Sequence, residues 1–114
     1  MNRTMQQTYT IPGTLAANHI FTFKAHADLT IQHASLVNSS ANVGTLKIGT
    51  ASDDDAHLEA TNFGVSSTPA EVARGGFVGG QFPHISKGEV VKLTITDHVS
   101  HMANVCVVLT LAEG

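Results

Sequence analysis

Hydrophobic and polar side chains alternate along two long segments in the C-terminal third of the chain, residues 89–96 and 104–111. The apolar positions are Val91, Leu93 and Ile95 in the first segment and Val105, Val107, Leu109 and Leu111 in the second. A period of two places alternate side chains on opposite faces of a β-strand. Both segments are therefore predicted to be strands with one buried face.

Shorter runs of the same alternation occupy the earlier part of the chain. They cover residues 4–11, 18–24, 29–37, 43–49 and, less regularly, 57–62. In the third of these runs the inward face is predicted to carry Leu29, Ile31, His33 and Val37. Gly, Pro, Asn and Ser cluster between the runs, which is typical of turns.

One short helix is predicted near residues 68–74. Thr68 is suited to the N-cap position and Pro69 to the first helical position. Glu71 places a carboxylate in the first turn, and Gly75 ends the helix. No other segment shows a helical signal of this kind, so a fold that alternates strands with helices is not expected.

About seven or eight short strands with turn signals between them predict an all-β fold, an antiparallel β-sandwich of jelly-roll-like form. At 114 residues the chain is expected to form a single domain, residues 1–114. Residues 1–12 are either the first strand of this sandwich or an N-terminal arm that adds a strand to a neighbouring subunit's sheet.

The surface is sparsely charged, with a net charge of −3 and 13% charged residues. Lysines and arginines are scattered along the sequence without a basic stripe, so nucleic-acid binding is not expected. No apolar run approaches the roughly 20 residues that span a bilayer, so no membrane partner is expected. Low charge suits a chain that assembles, because interface centres are depleted in charge, but it equally suits an ordinary polar β-surface.

The lone cysteine and the N-terminal residues bear on the compartment. Cys106 excludes an intrachain disulfide and is expected to be a buried structural thiol. Residues 1–7 lack the apolar stretch of a signal peptide. We therefore expect synthesis in a reducing compartment.

Seven histidines are many for this length and raise the possibility of a metal site. His98 and His101 lie three residues apart before the last strand, and His26, His33 or Asp97 could complete a ligand set. The spacing matches no established metal motif, so loop histidines bonded to backbone or water are favoured over ligands. A small cupin-like metal enzyme that uses His98 and His101 is the enzymatic alternative.

An acidic cluster, Asp53, Asp54 and Asp55 with Glu59 nearby, offers hard oxygen ligands for calcium. It lacks the alternating oxygen ligands and the glycine of a recognised calcium loop, which favours a solvated acidic turn. No Gly-x-Ser-x-Gly elbow, phosphate loop or Cys-x-x-Cys motif is present. We expect no catalytic residues, no resident metal and no cofactor.

Sugar binding is a common function of isolated β-sandwiches, and such sites stack the ligand on exposed aromatic rings. The chain has no tryptophan, and Phe21 and Phe23 are predicted to lie in the core. The remaining candidate rings are Tyr9, Phe63, Phe77 and Phe82. A carbohydrate-binding or receptor-facing β-sandwich module is therefore the alternative binding function.

Three parts of the chain resemble small structural proteins of tailed-bacteriophage virions. They are HIFTFKAHADLTIQHASLV, GTLKIGTASDDDAHLEATNFGVSSTPAEVA, and HISKGEVVKLTITDH followed by ANVCVVLTLAEG. The resemblance lies in the order of strand types and covers most of the chain from about residue 18. Proteins of this type serve as head decoration (cement) proteins or as β-sandwich parts of tails and fibres. For the alternative binding function, the resemblance implies a carbohydrate-binding or receptor-facing module of a phage tail or fibre.

The resemblance implies a non-enzymatic capsid decoration protein that binds the outside of the phage head and stabilises the shell. It implies the major capsid protein as partner, a homo-oligomer that is often a trimer, and a place on the capsid surface after assembly in the host cytoplasm. No individual binding residue follows from the resemblance.

Overall fold

Apolar side chains at every second position form the inner layers of two antiparallel sheets in the computed structural model, which describes residues 3–113. The strands are β1 (Thr4–Thr14), β2 (His19–Lys24), β3 (Leu29–Val37), β4 (Thr45–Gly49), β5 (Leu58–Asn62), β6 (Ala70–Val72), β7 (His84–Ile85), β8 (Val90–Thr96) and β9 (Ala103–Glu113). Two short 3-10 helices, Arg74–Gly76 and Val78–Gly80, lie between β6 and β7.

The strand order is that of a jelly roll. The first sheet has the order β1-β9-β3-β6, with β7 also paired to β3, and the second has the order β2-β8-β4-β5. If β6 and β7 are counted as one edge position, the eight positions follow the orders 1-8-3-6 and 2-7-4-5, which is the pattern of two Greek keys. The predicted all-β antiparallel sandwich of jelly-roll-like form is confirmed.

The strand β1 pairs with β9 from Thr4 opposite Ala112 to Ile11 opposite Val105. This segment therefore lies at one edge of the chain's own first sheet. Of the residues 1–12 that were considered as a strand or an arm, Met1 and Asn2 lie outside the described residues.

A β-bulge in β3 changes which side chains face the core. Ile31 lies opposite Leu111, but His33 lies opposite Thr110, so Gln32 is an extra residue in this strand. After the bulge, Ala34 is fully buried, whereas His33 is partly exposed. The prediction that His33 and Val37 share the inward face of Leu29 and Ile31 is therefore wrong.

The prediction of a helix near residues 68–74 is also wrong, since Ala70–Val72 forms strand β6. The backbone of β6 pairs with β3, with Ala70 opposite Leu36 and Val72 opposite Ala34. A helix of about seven residues is only marginally stable by itself, because nucleation costs more than its few hydrogen bonds return. Pairing with β3 also buries Val72, so tertiary contacts outweigh the local capping signal.

The core lies between the two sheets and contains aliphatic side chains from both. Its largest fully buried members are Leu29, Ile31, Leu36, Leu46, Ile48, Leu58, Ile85, Leu93, Ile95, Met102, Leu109 and Leu111. The inward positions predicted for β8 and β9 are all in this buried layer. Packing of these two inner faces fixes the positions of the loops at each end of the sandwich.

We predict that Leu109→Ala lowers the free energy of unfolding by about 2–5 kcal/mol, because it removes a fully buried side chain from the central strand of the first sheet. Urea denaturation followed by circular dichroism measures the change. Thr110→Ala, on the outer face of the same strand, is the control and should change stability by no more than about 0.5 kcal/mol. Equal effects of the two substitutions would contradict the inside–outside assignment.

Candidate interaction surfaces

The jelly-roll order brings four loops together at one end of the sandwich. They are residues 15–18, 38–44, 63–69 and 97–102, and we call this surface the Asn38 end. Backbone contacts already link the loops, since the Leu15 N–H donates to the Met102 carbonyl and the Ser66 N–H donates to the Ser40 carbonyl. The end is a joined surface built by four separate loops.

Asn38 is fully buried and all of its side-chain polar atoms are used. Its Nδ2 donates to the carbonyl oxygens of Asn42 at 3.1 Å and Gly64 at 3.0 Å. Its Oδ1 accepts from the Ser40 N–H at 2.9 Å and from Ser40 Oγ at 2.6 Å. A buried amide satisfied in this way holds two loops in one arrangement, because losing any bond would leave a desolvated polar group unpaired.

Asp97 ties the remaining loops to this network. Its Oδ1 accepts from the Met102 N–H at 2.8 Å, and its Oδ2 lies 2.7 Å from Nδ1 of His101. The Asp97 N–H donates to Oδ1 of Asn18 in the β1–β2 loop at 2.9 Å. Burial raises the pKa of Asp97, but the hydrogen bonds from His101, Met102 and His98 outweigh burial, so the pKa of this carboxyl lies below its usual value.

The Asn38 end is almost free of charge. Within its four loops, Asp97 is the one carboxylate, its side chain is 7% exposed, and lysine and arginine are absent. Apolar side chains are exposed instead, since Val99 is 91% and Val43 is 38% accessible. An uncharged surface with exposed valines on hydrogen-bonded loops matches the composition and order of a protein–protein contact.

Charged groups concentrate at the opposite end of the sandwich, which we call the charged end. Arg3 and His26 both contact Glu113, with nitrogen–oxygen distances of 3.2 Å. The Arg3 guanidinium and His26 hold the pKa of Glu113 below its usual value. His57 lies 3.3 Å from Glu89 between two further loops of this end. The two ends of the molecule therefore differ sharply in charge.

Three lysines form a diagonal row across the outer face of the second sheet. Lys24 lies opposite Val90 and Lys92 opposite Thr22, so these two are diagonal neighbours on β2 and β8. Lys47 is the next diagonal neighbour, because Lys92 pairs with Gly49 on β4. Such neighbours lie about 7–8 Å apart. Sequence reasoning missed this row because strand register, not sequence spacing, creates it.

The row is partly neutralised and is short. The Lys47 Nζ atom lies 3.7 Å from Asp54 Oδ2, and the adjacent strand β5 carries the exposed carboxylate of Glu59. Lys24 and Lys92 carry the remaining positive charge of this face. Two free lysines are a small electrostatic footprint compared with the many phosphate contacts of nucleic-acid-binding proteins.

The histidines considered as metal ligands are dispersed in the fold. His26 contacts Glu113 at the charged end, and His33 contacts Glu71 at 3.5 Å on the outer face of the first sheet. At the Asn38 end, Nδ1 of His98 accepts from the Ser100 N–H, so the ring caps its own turn. Of the predicted set, the structure brings together His101 and Asp97 as a pair.

Asp53, Asp54 and Asp55 do converge, with carboxylate oxygens within 4.8 Å of one another in the β4–β5 loop. A hydrogen bond to Asp53 is the largest influence that raises the pKa of Asp55, and the other nearby carboxylates add to it. The three side chains are exposed or partly exposed, and Asp54 contacts Lys47. This arrangement is that of mutually repelling carboxylates in a surface turn.

The candidate sugar-stacking rings do not form a shared platform. Phe63 and Phe77 are 2% and 3% exposed and belong to the core, so their assignment as ligand-facing rings is wrong. Both lie outside the strands and pack in the buried core, where an apolar ring contributes more to stability than at the surface. Phe82 is exposed, with the Arg74 guanidinium 5.9 Å from its ring centre.

The outer face of the first sheet is lined by small, uncharged side chains along β1 and β9. Cys106 lies there between Thr10 and Val37 and is partly exposed, which corrects the expectation of a buried thiol. The alternation of β9 had placed it on the face opposite Val105 and Val107, and that placement is confirmed. A half-buried outward position follows because neighbouring strands flank the thiol on both sides.

One side of the sandwich is incompletely closed. The adjacent edges of β1 and β2, Thr4–Ile11 and His19–Lys24, form this open edge, in which the Tyr9 ring lies 5.0 Å from Phe21 and 6.4 Å from Phe23. Phe21 and Phe23 are partly exposed, although the sequence predicted them to be core. Burial raises the pKa of the Tyr9 phenol to about 12.

The surface formed by residues 3–113 has no concave pocket. In the same residues there is no helix with the length and apolar character that a membrane crossing requires.

No protein-family model and no curated protein matches the sequence. Among solved structures, the fold is similar to a chain of the cyanophage Pam1 capsid asymmetric unit, with a TM-score of 0.64 and 14% sequence identity. The match covers 97% of this chain and 82% of that chain, so the likeness extends over nearly all of this fold.

We predict that Asp97→Asn destabilises the protein at pH 7 by on the order of 1 kcal/mol, because the amide weakens the contact with His101. The folded pKa lies below the unfolded value, so the carboxylate stabilises the fold above about pH 5 and this contribution is lost as pH falls through the folded pKa. Urea denaturation at pH 7 and pH 3 should show a difference between wild type and variant that shrinks in acid. Glu59→Gln is the control, and a difference that persists unchanged at pH 3 would contradict the assignment.

We predict the opposite sign for Asp55→Asn, which should stabilise the protein at pH 7. Hydrogen bonding to Asp53 and charge repulsion raise the folded pKa of Asp55, so its ionised form disfavours folding above that pKa. Thermal denaturation measures the effect, and added salt should reduce it because the group is exposed. A lower melting temperature for the variant at pH 7 would show that the turn needs this carboxylate.

Proposed function

We propose that this chain is a non-enzymatic virion structural protein, a capsid decoration (cement) protein that binds the outside of a phage head and stabilises the shell. The observation that carries the proposal is the likeness of nearly the whole fold to a chain of a phage capsid asymmetric unit. The sequence resemblance to phage structural proteins points in the same direction by a separate route. The proposed partner is the major capsid protein, and the proposed location is the capsid surface, after assembly in the host cytoplasm.

The surface chemistry supports a role in assembly. A cement protein stabilises a shell by bridging neighbouring subunits, which requires contact area and ordered loops, not a reactive group. Many copies on one lattice add avidity, so each single contact can be modest. A small homo-oligomer, for which the resemblance implies three copies, would extend that effect.

We propose the Asn38 end as the surface that contacts the shell. Its loops are already fixed by the bonds of Asn38 and Asp97, so binding costs little conformational entropy. Its low charge removes the desolvation penalty that lysines or carboxylates would bring to the centre of an interface. Val99, at 91% exposure, is the side chain that gains most from being covered.

The test is binding of the purified protein to phage heads that lack their decoration protein, measured by co-sedimentation. We expect saturable binding and a higher temperature of head disruption when the protein is bound. Protein that neither binds the heads nor changes their stability would overturn the proposal.

We predict that Val99→Asp weakens head binding about tenfold, because it introduces a charge into the proposed contact. Val78→Asp is the matched control, since Val78 is also exposed, at 45%, but lies in a 3-10 helix beside His57 at the charged end. Binding at rising salt concentration provides a second readout, since a contact through Lys24 and Lys92 would weaken with salt. Equal affinity of the two variants would assign the contact to another surface.

A further inference from the structure

The four edges of the two sheets are protected to very different degrees. Exposed edges pair with other chains unless they are short, charged, bulged or interrupted by proline. On one side of the sandwich, β6 and β7 have three and two residues, and β5 has five residues with Glu59 and a register shift against β4. These edges carry the expected protection.

β1 is different. It has 11 residues, and no charged side chain occurs from Thr4 to Thr14. Its register against β9 is continuous from Thr4 to Ile11, before a shift and Pro12 end it. A stretch of eight residues therefore presents a free, regular edge within the part of the chain that the structure describes. β2, beside it, carries one lysine at its end.

A second observation identifies the same place. Within residues 3–113, five hydrophobic side chains pack against the core but stay partly exposed, and all five belong to β1 and β2: Met5, Tyr9, Ile11, Phe21 and Phe23. Elsewhere the inward-facing side chains of the strands are mostly fully buried. The layer between the sheets therefore opens to solvent at the edge that also lacks protection against strand pairing.

We propose that a second copy of this chain covers the open edge, and that this edge is the contact between copies in the homo-oligomer. The inference rests on the proposed function, because it names the surface that forms the oligomer. Pairing would continue the first sheet across the contact and would bury the five partly exposed side chains of β1 and β2, which we call the apolar row.

Charge and side-chain pattern favour a second copy as the occupant. Because β1 is uncharged, it can oppose either β1 or β2 of another copy without placing like charges together. If two β1 strands pair antiparallel about Thr8, Met5 faces Ile11 and Gln7 faces Tyr9 of the other copy. The outer positions Gln6 and Thr10 meet in the same way, so each face continues with its own type of side chain.

Symmetry determines which strands meet. Two copies across a two-fold axis would pair β1 with β1, whereas three copies around a three-fold axis would place β1 against β2 of the next copy. The same open edge is buried in both arrangements. The number of copies therefore distinguishes the two pairings without changing the surface.

The experiment introduces a lysine at the open edge and measures mass by size-exclusion chromatography with light scattering. Gln7→Lys directs an ammonium group toward the apolar row, and we expect loss of the oligomer. Gln6→Lys, at an exposed position of the same strand, is a second variant that leaves the core untouched and should also weaken assembly. Gln32→Lys, at the exposed bulge of β3, is the matched control and should remain oligomeric.

Tyr9 provides a direct readout of the edge, because the chain has one tyrosine and no tryptophan. Its fluorescence should be quenched less by acrylamide as wild-type concentration rises and copies associate. In Gln6→Lys the quenching should stay at the dilute wild-type level at all concentrations. Far-ultraviolet circular dichroism confirms that each variant keeps its strands.

The outcomes separate this inference from the proposed function. If Gln6→Lys and Gln7→Lys both remain oligomeric, the open edge is not the contact between copies. The same conclusion follows if the quenching of Tyr9 fluorescence does not change as copies associate. Neither outcome affects the proposal of head binding. A wild-type monomer that still binds heads overturns the edge inference alone. An oligomer that loses assembly in both edge variants, but never binds heads, supports the edge and rejects the decoration role.

Discussion

The structure depends on the pairing of β9 with β1 on one side and β3 on the other. β9 is 11 residues long, and its inward and outward side chains alternate without interruption. Its inward side chains therefore define the buried face to which the neighbouring strands of the first sheet must align. Both neighbours must adopt its register if they are to bury their apolar sides, since a slip of one residue would expose them. β3 meets this requirement by including the extra residue Gln32, and β1 meets it directly.

The resulting topology separates the surfaces by chemistry. Alternate loops meet at opposite ends of a jelly roll, so residues distant in sequence become one surface. At one end the buried amide of Asn38 and the carboxylate of Asp97 hold four uncharged loops together. Most charged groups lie at the other end or on the outer sheet faces. A surface that is stiff, polar and uncharged is suited to binding another protein surface.

The same sheet order leaves β1 and β2 side by side at one edge, with Tyr9 in contact with Phe21. In a chain that acts alone, such an edge would expose apolar area and promote aggregation. In a chain that works in an assembly, it is where another copy can bind. The proposed shell contact and the proposed copy contact use different surfaces, so both can be occupied at once.

Local sequence pattern was sufficient to predict the all-β class and the inward faces of β8 and β9, and it showed that recognised catalytic motifs are absent. These follow from local alternation and residue type, which need no knowledge of neighbours. Long-range strand pairing and core packing account for the outward orientation of His33, the strand at Ala70–Val72 and the burial of Phe63 and Phe77. They also create the Asn38 network, the lysine row and the open edge. Each of these depends on which distant strands pair and in what register, and register is set by the packing of the whole core, which no local pattern encodes.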